Sequence, residues 1–197
     1  MAKSRRRPSI GVMMDSGTKR LQKYLTDHLA LSRAGIELIQ RCLEKNDEGE
    51  LGSFLRMLLG EARSERQTLE NILRELGGSP SILKETATWV LEKASGLKTH
   101  GLIFGYSDLD RLTELEAMLV GVRGKLDMWR ILDQERKHLA KYSLKSIVEQ
   151  VERQVGLLQR HCLAVAAQAF APREETQIER PISQAIRKVA SRAASRR

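Results

Sequence analysis

The chain has 197 residues, 41% hydrophobic and 30% charged, with aromatics at only 4% and a formal net charge of +9. A core poor in aromatics must be built from Leu, Ile, Val and Ala, which favours helices over sheets. No apolar run approaches the roughly 20 residues of a membrane span, and the basic start MAKSRRRPSIGVMMD lacks the apolar stretch of a secretory signal.

The charge is uneven. Residues 1–23 carry +6, residues 172–197 carry +4, and residues 24–171 carry −1. The high isoelectric point therefore belongs to the ends, and a basic nucleic-acid-binding domain is not indicated. The division expected is a basic tail over 1–17, a helical bundle over 18–171 and a second basic tail over 172–197. The two cysteines, Cys42 and Cys162, have neither CxxC spacing nor neighbouring ligands, as expected of reduced, buried thiols in a cytoplasmic protein.

The first helix is expected from Thr18 to Lys45. Leu21, Leu25, His28, Ser32, Gly35, Ile39 and Cys42 form one stripe on it, and Asn46 and Asp47 stop it. The second runs from Glu50 to Leu76 on Leu51, Leu55, Leu58, Ala62, Glu65, Leu69, Ile72 and Leu76, and is closed by Gly77 and Gly78. The short link makes these two an antiparallel hairpin.

Ser79-Pro80 opens a shorter helix with Ile82, Leu83, Trp89, Val90 and Leu97, and the glycine-broken THGLIFGY follows. Residues 79–106 read together as a long crossover. Ser107 and Asp110 start the third helix, whose stripe is Leu112, Leu115, Leu119, Val122, Leu126 and Trp129. Gly121 and Gly124 on it are expected to permit close helix approach, and Trp89 and Trp129 to fill the core. The fourth helix is expected from Glu135 to Ala171, on Leu144, Ile147, Val151, Leu158, Cys162, Val165 and Ala169, with Pro172 ending it. Two hairpins joined by one long crossover is the connectivity of a four-helix ferritin-like bundle. A faint internal echo fits a duplicated hairpin: YLTDHL pairs with RLTELE, and SERQTLENIL with VERQVGLLQ.

The stretches YLTDHLALSRAGIEL, EKASGLKTHGLIFGYSDLDRLTELEAMLVGVRGKLDMW and VERQVGLLQ resemble a group of uncharacterised bacterial ferritin-like-fold proteins, over roughly residues 20–170. The resemblance implies the fold and no settled activity. The wider superfamily holds two iron or manganese ions with a carboxylate from each of two helices and a Glu-x-x-His from each of the others. Here one Glu-x-x-His occurs, Glu135 with His138, where the superfamily uses two. Elsewhere Glu61 is followed at that spacing by Ser64, Glu65 by Thr68, Glu149 by Glu152 and Glu152 by Val155, and His28, His100 and His161 follow no glutamate. The resemblance thus carries the bundle and not the metal chemistry.

Glu65 and His28 interrupt apolar seams. A buried carboxylate needs a partner or a proton. The expected partner of Glu65 is His28, Arg33, Arg63 or Arg66, unless the helix is rotated to put Glu65 at the solvent edge. A divergent metal or small-ligand site would use Glu65, His28, Glu114 and Glu149, with Asp27 and Glu116 as further carboxylates to test.

In the C-terminal segment, Ile182, Ala185, Ile186, Val189 and Ala193 recur at helical spacing among Arg187, Lys188, Arg192, Arg196 and Arg197. Such a basic amphipathic stretch suits a partner's groove, weak, salt-sensitive contact with nucleic-acid phosphates or anionic lipid, or no dedicated partner at all. No nucleophile, base and orienting group can be assembled, so no catalytic residue is assigned. The functional expectation is a non-enzymatic bundle with a structural or interaction role, as a homodimer. The alternatives are an iron- or manganese-binding oxidoreductase or storage protein, and a protein acting on DNA or membranes through its tails.

Overall fold

The computed structural model describes residues 16–79, 106–135 and 137–172. Among these, every regular element is helical: α1 (Ser16–Lys45), α2 (Gly49–Glu75), α3 (Asp108–Glu135), a 3-10 turn (Lys137–Tyr142) and α4 (Leu144–Ala169). No described helix is long and apolar enough to cross a membrane. Residues 80–105 of the expected crossover, with Trp89 and His100, and residues 1–15 and 173–197 of the expected tails, including Arg187, Lys188, Arg192, Arg196 and Arg197, lie outside the described residues, while Ser16 and Gly17, expected in the first tail, belong to α1.

Helix boundaries follow from local chemistry. Gly77 has φ +78°, the Gly77 N–H reaches the Arg74 carbonyl, and the Gly78 N–H reaches the Leu73 carbonyl, both at 2.9 Å. This paired closure satisfies carbonyls that α2 would leave bare, and the left-handed turn favours glycine. At the other end of α2, Gly52 lies against the backbone of Asn46 and Asp47, where a Cβ would collide. That contact keeps the α1–α2 link tight. α3 starts with a reciprocal cap: the Ser107 N–H donates to Asp110 Oδ2 at 2.9 Å, and the Asp110 N–H donates to Ser107 Oγ at 3.2 Å.

The fourth helix starts later than the expected Glu135, which instead ends α3, and begins at Leu144, the first residue of its apolar stripe. Residues 137–142 form the 3-10 turn, and α4 begins at Leu144 after Ser143, which has φ +51°. The left-handed Ser143 turns the chain between the two helices, and its carbonyl accepts the N–H groups of Ser146 and Ile147.

α1 packs on α2, α3 packs on α4, and the hairpins meet through α1 with α3 and α2 with α4. Contacts at the ends fix the directions. Gln22 near the start of α1 reaches the Leu76 carbonyl after α2, and Asn46 after α1 meets Tyr106 just before α3. Phe54 early in α2 lies 4.7 Å from His161 late in α4, and Glu75 at the end of α2 meets Tyr142 just before α4. So α1 and α4 run one way and α2 and α3 the other. The chain leaves α2 at one end of the bundle and enters α3 at the opposite end, about 40 Å away by the rise of a 27-residue helix.

The core is aliphatic, as the composition requires. Leu25, Leu29, Leu55, Leu58, Ile72, Leu73, Leu115, Leu132 and Leu158 are fully or almost fully enclosed, and Trp129 is the largest buried side chain. Cys42 and Cys162 are free and buried. Gly121 and Gly124 do not bring helices together: both are exposed, with open space where a Cβ would stand.

Candidate functional site

Two polar clusters sit within this apolar frame. The first is at mid-bundle, around Glu65 of α2, which is only 4% exposed. Its partners come from the other hairpin. Lys125 Nζ of α3 lies 2.7 Å from Glu65 Oε2. Gln150 and Gln154 of α4 donate to Glu65 Oε1 at 3.0 and 2.8 Å. Gln154 is completely buried, and each end of its amide is used: Nε2 also donates to Glu61 Oε2 at 2.7 Å, while Oε1 accepts from Lys125 Nζ at 2.8 Å. The charges are two carboxylates and one ammonium, bridged by carboxamides.

The position of each side chain follows from helical spacing. Glu61 and Glu65 are one turn apart on α2, as are Gln150 and Gln154 on α4. Lys125 follows the buried Val122 by three residues and precedes the buried Trp129 by four, so it shares their face of α3. Its long stem carries the charge into the seam.

The sequence expectation for Glu65 is therefore corrected. It does face inward, but its partner is not His28, Arg33, Arg63 or Arg66. Arg66 instead donates to the Leu29 carbonyl and Ser32 Oγ across the α1–α2 contact, at 2.6 and 2.8 Å, and pairs with Glu70. Arg33 pairs with Glu37 on the surface, and Arg63 is exposed. The ring of His28 stands edge-on to Tyr24 at 4.6 Å, and burial pushes its pKa below the usual histidine value.

The four side chains proposed as metal ligands do not come together. Glu65 is taken by Lys125 and the glutamines, His28 by Tyr24, and Glu149 is exposed. Glu114 belongs to the second cluster. Asp27 pairs with Lys23, and Glu116 is exposed. No group of three or more His, Cys, Asp or Glu side chains among the described residues is placed to hold a metal ion. These residues do not fit the iron or manganese pair that the resemblance brings with it: a lysine ammonium stands against the deeply buried Glu65 carboxylate, and like charge would repel a metal ion there.

The second cluster, at the end of the bundle where α1 stops and α3 starts, is absent from the sequence reading. The Tyr106 hydroxyl donates to Glu114 Oε2 at 2.9 Å and accepts from Asn46 Nδ2 at 2.9 Å. Asn46 Oδ1 accepts from Arg111 Nε at 2.5 Å, and Arg111 pairs with Asp108 at 2.9 Å. Lys45 Nζ stands 4.4 Å over the Tyr106 ring and 3.5 Å from Glu114. Cys42 Sγ lies 3.9 Å from the Tyr106 hydroxyl. Burial, reinforced by Glu114, pushes the Cys42 thiol up to about 12, and burial also raises Tyr106. A thiol held protonated is a poor nucleophile, so this cluster fastens helices rather than presenting a reactive sulfur.

Among the described residues, five of the seven large exposed apolar side chains are on the second hairpin or directly after it. Leu109, Val120 and Ile131 recur every eleven residues on α3, which aligns them along one side, and Leu163 lies on α4 with Phe170 directly after it. Val120, Leu163 and Phe170 are about 70% exposed.

The class these observations define is an all-α four-helix bundle with a polar knot at its centre. No protein-family model, curated protein or solved structure matches the chain.

Proposed function

We propose that the protein is a non-enzymatic, ferritin-like helical bundle with a structural or interaction role, working as a homodimer. The observation that carries this reading is the polar knot: the Lys125 ammonium pairs with Glu65 Oε2 while Gln150 and Gln154 donate to Oε1, so the position beside this buried carboxylate is filled by the chain's own cation. A catalytic or metal-loading centre requires an open position for substrate or ion. The helix directions support the ferritin-like part of the reading. Two antiparallel hairpins joined from one end of the bundle to the other match the single-crossover bundles, and not the simple up-down-up-down kind.

The apolar side chains left in solvent on α3 and α4 support the interaction role. They are accompanied on those helices by exposed charges of both signs, Glu116, Arg123, Asp127, Arg130, Glu152 and Arg160. A two-fold pairing can bring such a surface against itself with opposite charges matched. The test is elemental analysis of protein purified without chelator, together with its molar mass in solution. The expected result is metal-free protein at twice the chain mass, reduced to single-chain mass by Val120→Glu or Leu163→Glu. Stoichiometric iron or manganese would overturn the non-metal reading in favour of storage or redox chemistry. A monomeric wild type would remove the homodimer. Salt-sensitive binding of DNA or anionic vesicles that disappears on deleting residues 172–197 would move the role to the tail.

A further inference from the structure

We infer that the centre of the bundle is a cation site whose cation is supplied by the chain itself, as the Lys125 ammonium, and that removing this side chain opens the site to a small divalent cation. The inference rests on the reading of the polar knot as structural and deepens it. Two carboxylates buried or half-buried in a seam of leucines do not make a site by themselves. Here a cation is already seated among them, held by Glu65 Oε2 at 2.7 Å and Gln154 Oε1 at 2.8 Å. Its neighbours also hold one another. Glu65 Oε1 is held by Gln150 and Gln154, and Glu61 is tied to the same Gln154 amide.

The group set is one that hard cations accept. Glu61, Glu65, Gln150 and Gln154 offer carboxylate and amide oxygens from two facing helices, and each carboxamide can turn its oxygen inward by rotating about its last bond. Without the ammonium, two negative charges face each other across an amide with no positive partner in the knot. That arrangement is costly in a seam shielded from water, and a divalent ion of small radius relieves it. Lys125→Ala also vacates the volume of the four-carbon stem, so space and charge become available together. The ammonium therefore explains why the wild-type bundle can be complete without metal.

The experiment compares full-length wild type, Lys125→Ala and Lys125→Ala/Glu65→Gln, each stripped of metal and melted with and without millimolar Mn2+. The expected result is that Lys125→Ala melts below wild type and is raised by about 5 °C when Mn2+ is added. Wild type and the double variant should not move. If Lys125→Ala is unfolded without metal, the readout becomes recovery of its helical circular dichroism on adding Mn2+, again lost in the double variant. No response of Lys125→Ala to Mn2+ by either readout overturns the inference, and so does an equal shift in wild type. The two readings fail separately. Metal in purified wild type defeats the structural proposal, whereas metal-free wild type with an unresponsive Lys125→Ala defeats only this one.

Discussion

The Asn46 carboxamide donates to the Tyr106 hydroxyl across 2.9 Å, joining the residue that ends α1 to the residue that precedes α3. Sixty positions separate them in the chain, and the contact fixes which end of the first hairpin receives the second. The same hydroxyl donates to Glu114, while Asn46 also holds the Cys42 carbonyl at 2.7 Å and accepts from Arg111. Tyr106→Phe removes one donor and one acceptor from a half-buried network and should cost about 1–2 kcal/mol in urea unfolding. Asn46→Ala should cost more, since it breaks contacts with Cys42, Tyr106 and Arg111 at once. If Tyr106→Phe unfolds like wild type, the cluster is not what holds the hairpins in register.

The Glu65–Lys125 pair should behave as a coupled unit. Breaking a buried pair from one side costs about 3–5 kcal/mol, because the remaining charge is stranded. Glu65→Gln should fall at the lower end, since Lys125 keeps its bond to Gln154 and is 19% exposed. Lys125→Met strands a carboxylate that is only 4% exposed, so it should be the worse single change. The double variant Glu65→Gln/Lys125→Met should cost at least about 1 kcal/mol less than the sum of the two. Additive losses in a double-mutant cycle would show that the short distance carries no coupling.

The hydrophobic period made the four helices legible, because Leu, Ile and Val at steps of three and four have one physical explanation on a helix. Gly77 and Gly78 and the Ser107–Asp110 cap marked boundaries for equally local reasons. The break between α3 and α4 was not legible, because it comes from a 3-10 turn over residues 137–142 and a left-handed serine that no local rule marks, although the apolar stripe does begin at Leu144, where α4 starts. Glu65 was legible as a polar intruder in its stripe. Its partners were less legible, although Gln154 continues the spacing of Val151 and Leu158, and Lys125 that of Val122 and Trp129. The Tyr106 cluster is assembled from three separate stretches of chain, so only the fold brings its members together.

Acid should weaken the bundle through its histidines. Burial lowers the folded pKa of His28 from the ordinary 6.5, with Asp27 opposing, and burial lowers His161 as well. A depressed pKa means that the unfolded chain takes up the proton more readily than the folded one. The contribution is whole above about 6.5 and is lost as the pH falls through the folded value. Denaturation midpoints measured from neutral pH downward should decline in that window, and the decline should be shallower in His28→Gln. A histidine titration by proton NMR showing His28 at or above 6.5 would contradict the burial argument.

Alkali should act in the opposite direction through Cys42. Its folded pKa is pushed up to about 12 from an ordinary 9, first by burial and then by the Glu114 charge. For a group raised in this way the stabilisation is whole below the unfolded value and is lost as the pH climbs toward the folded one. Tyr106, also raised by burial, adds to the loss. Stability should therefore fall steadily above about pH 9. The same shift governs reactivity, because the thiolate is the nucleophile. At about pH 8, iodoacetamide should modify Cys42 readily in denaturant and very slowly in the native protein. Asn46→Ala, which removes the amide beside the sulfur and loosens the cover from Tyr106, should speed modification of Cys42 more than that of Cys162. Equal acceleration at both cysteines would indicate general unfolding, and rapid labelling of Cys42 in the native wild type would show that the α1–α3 junction opens on its own.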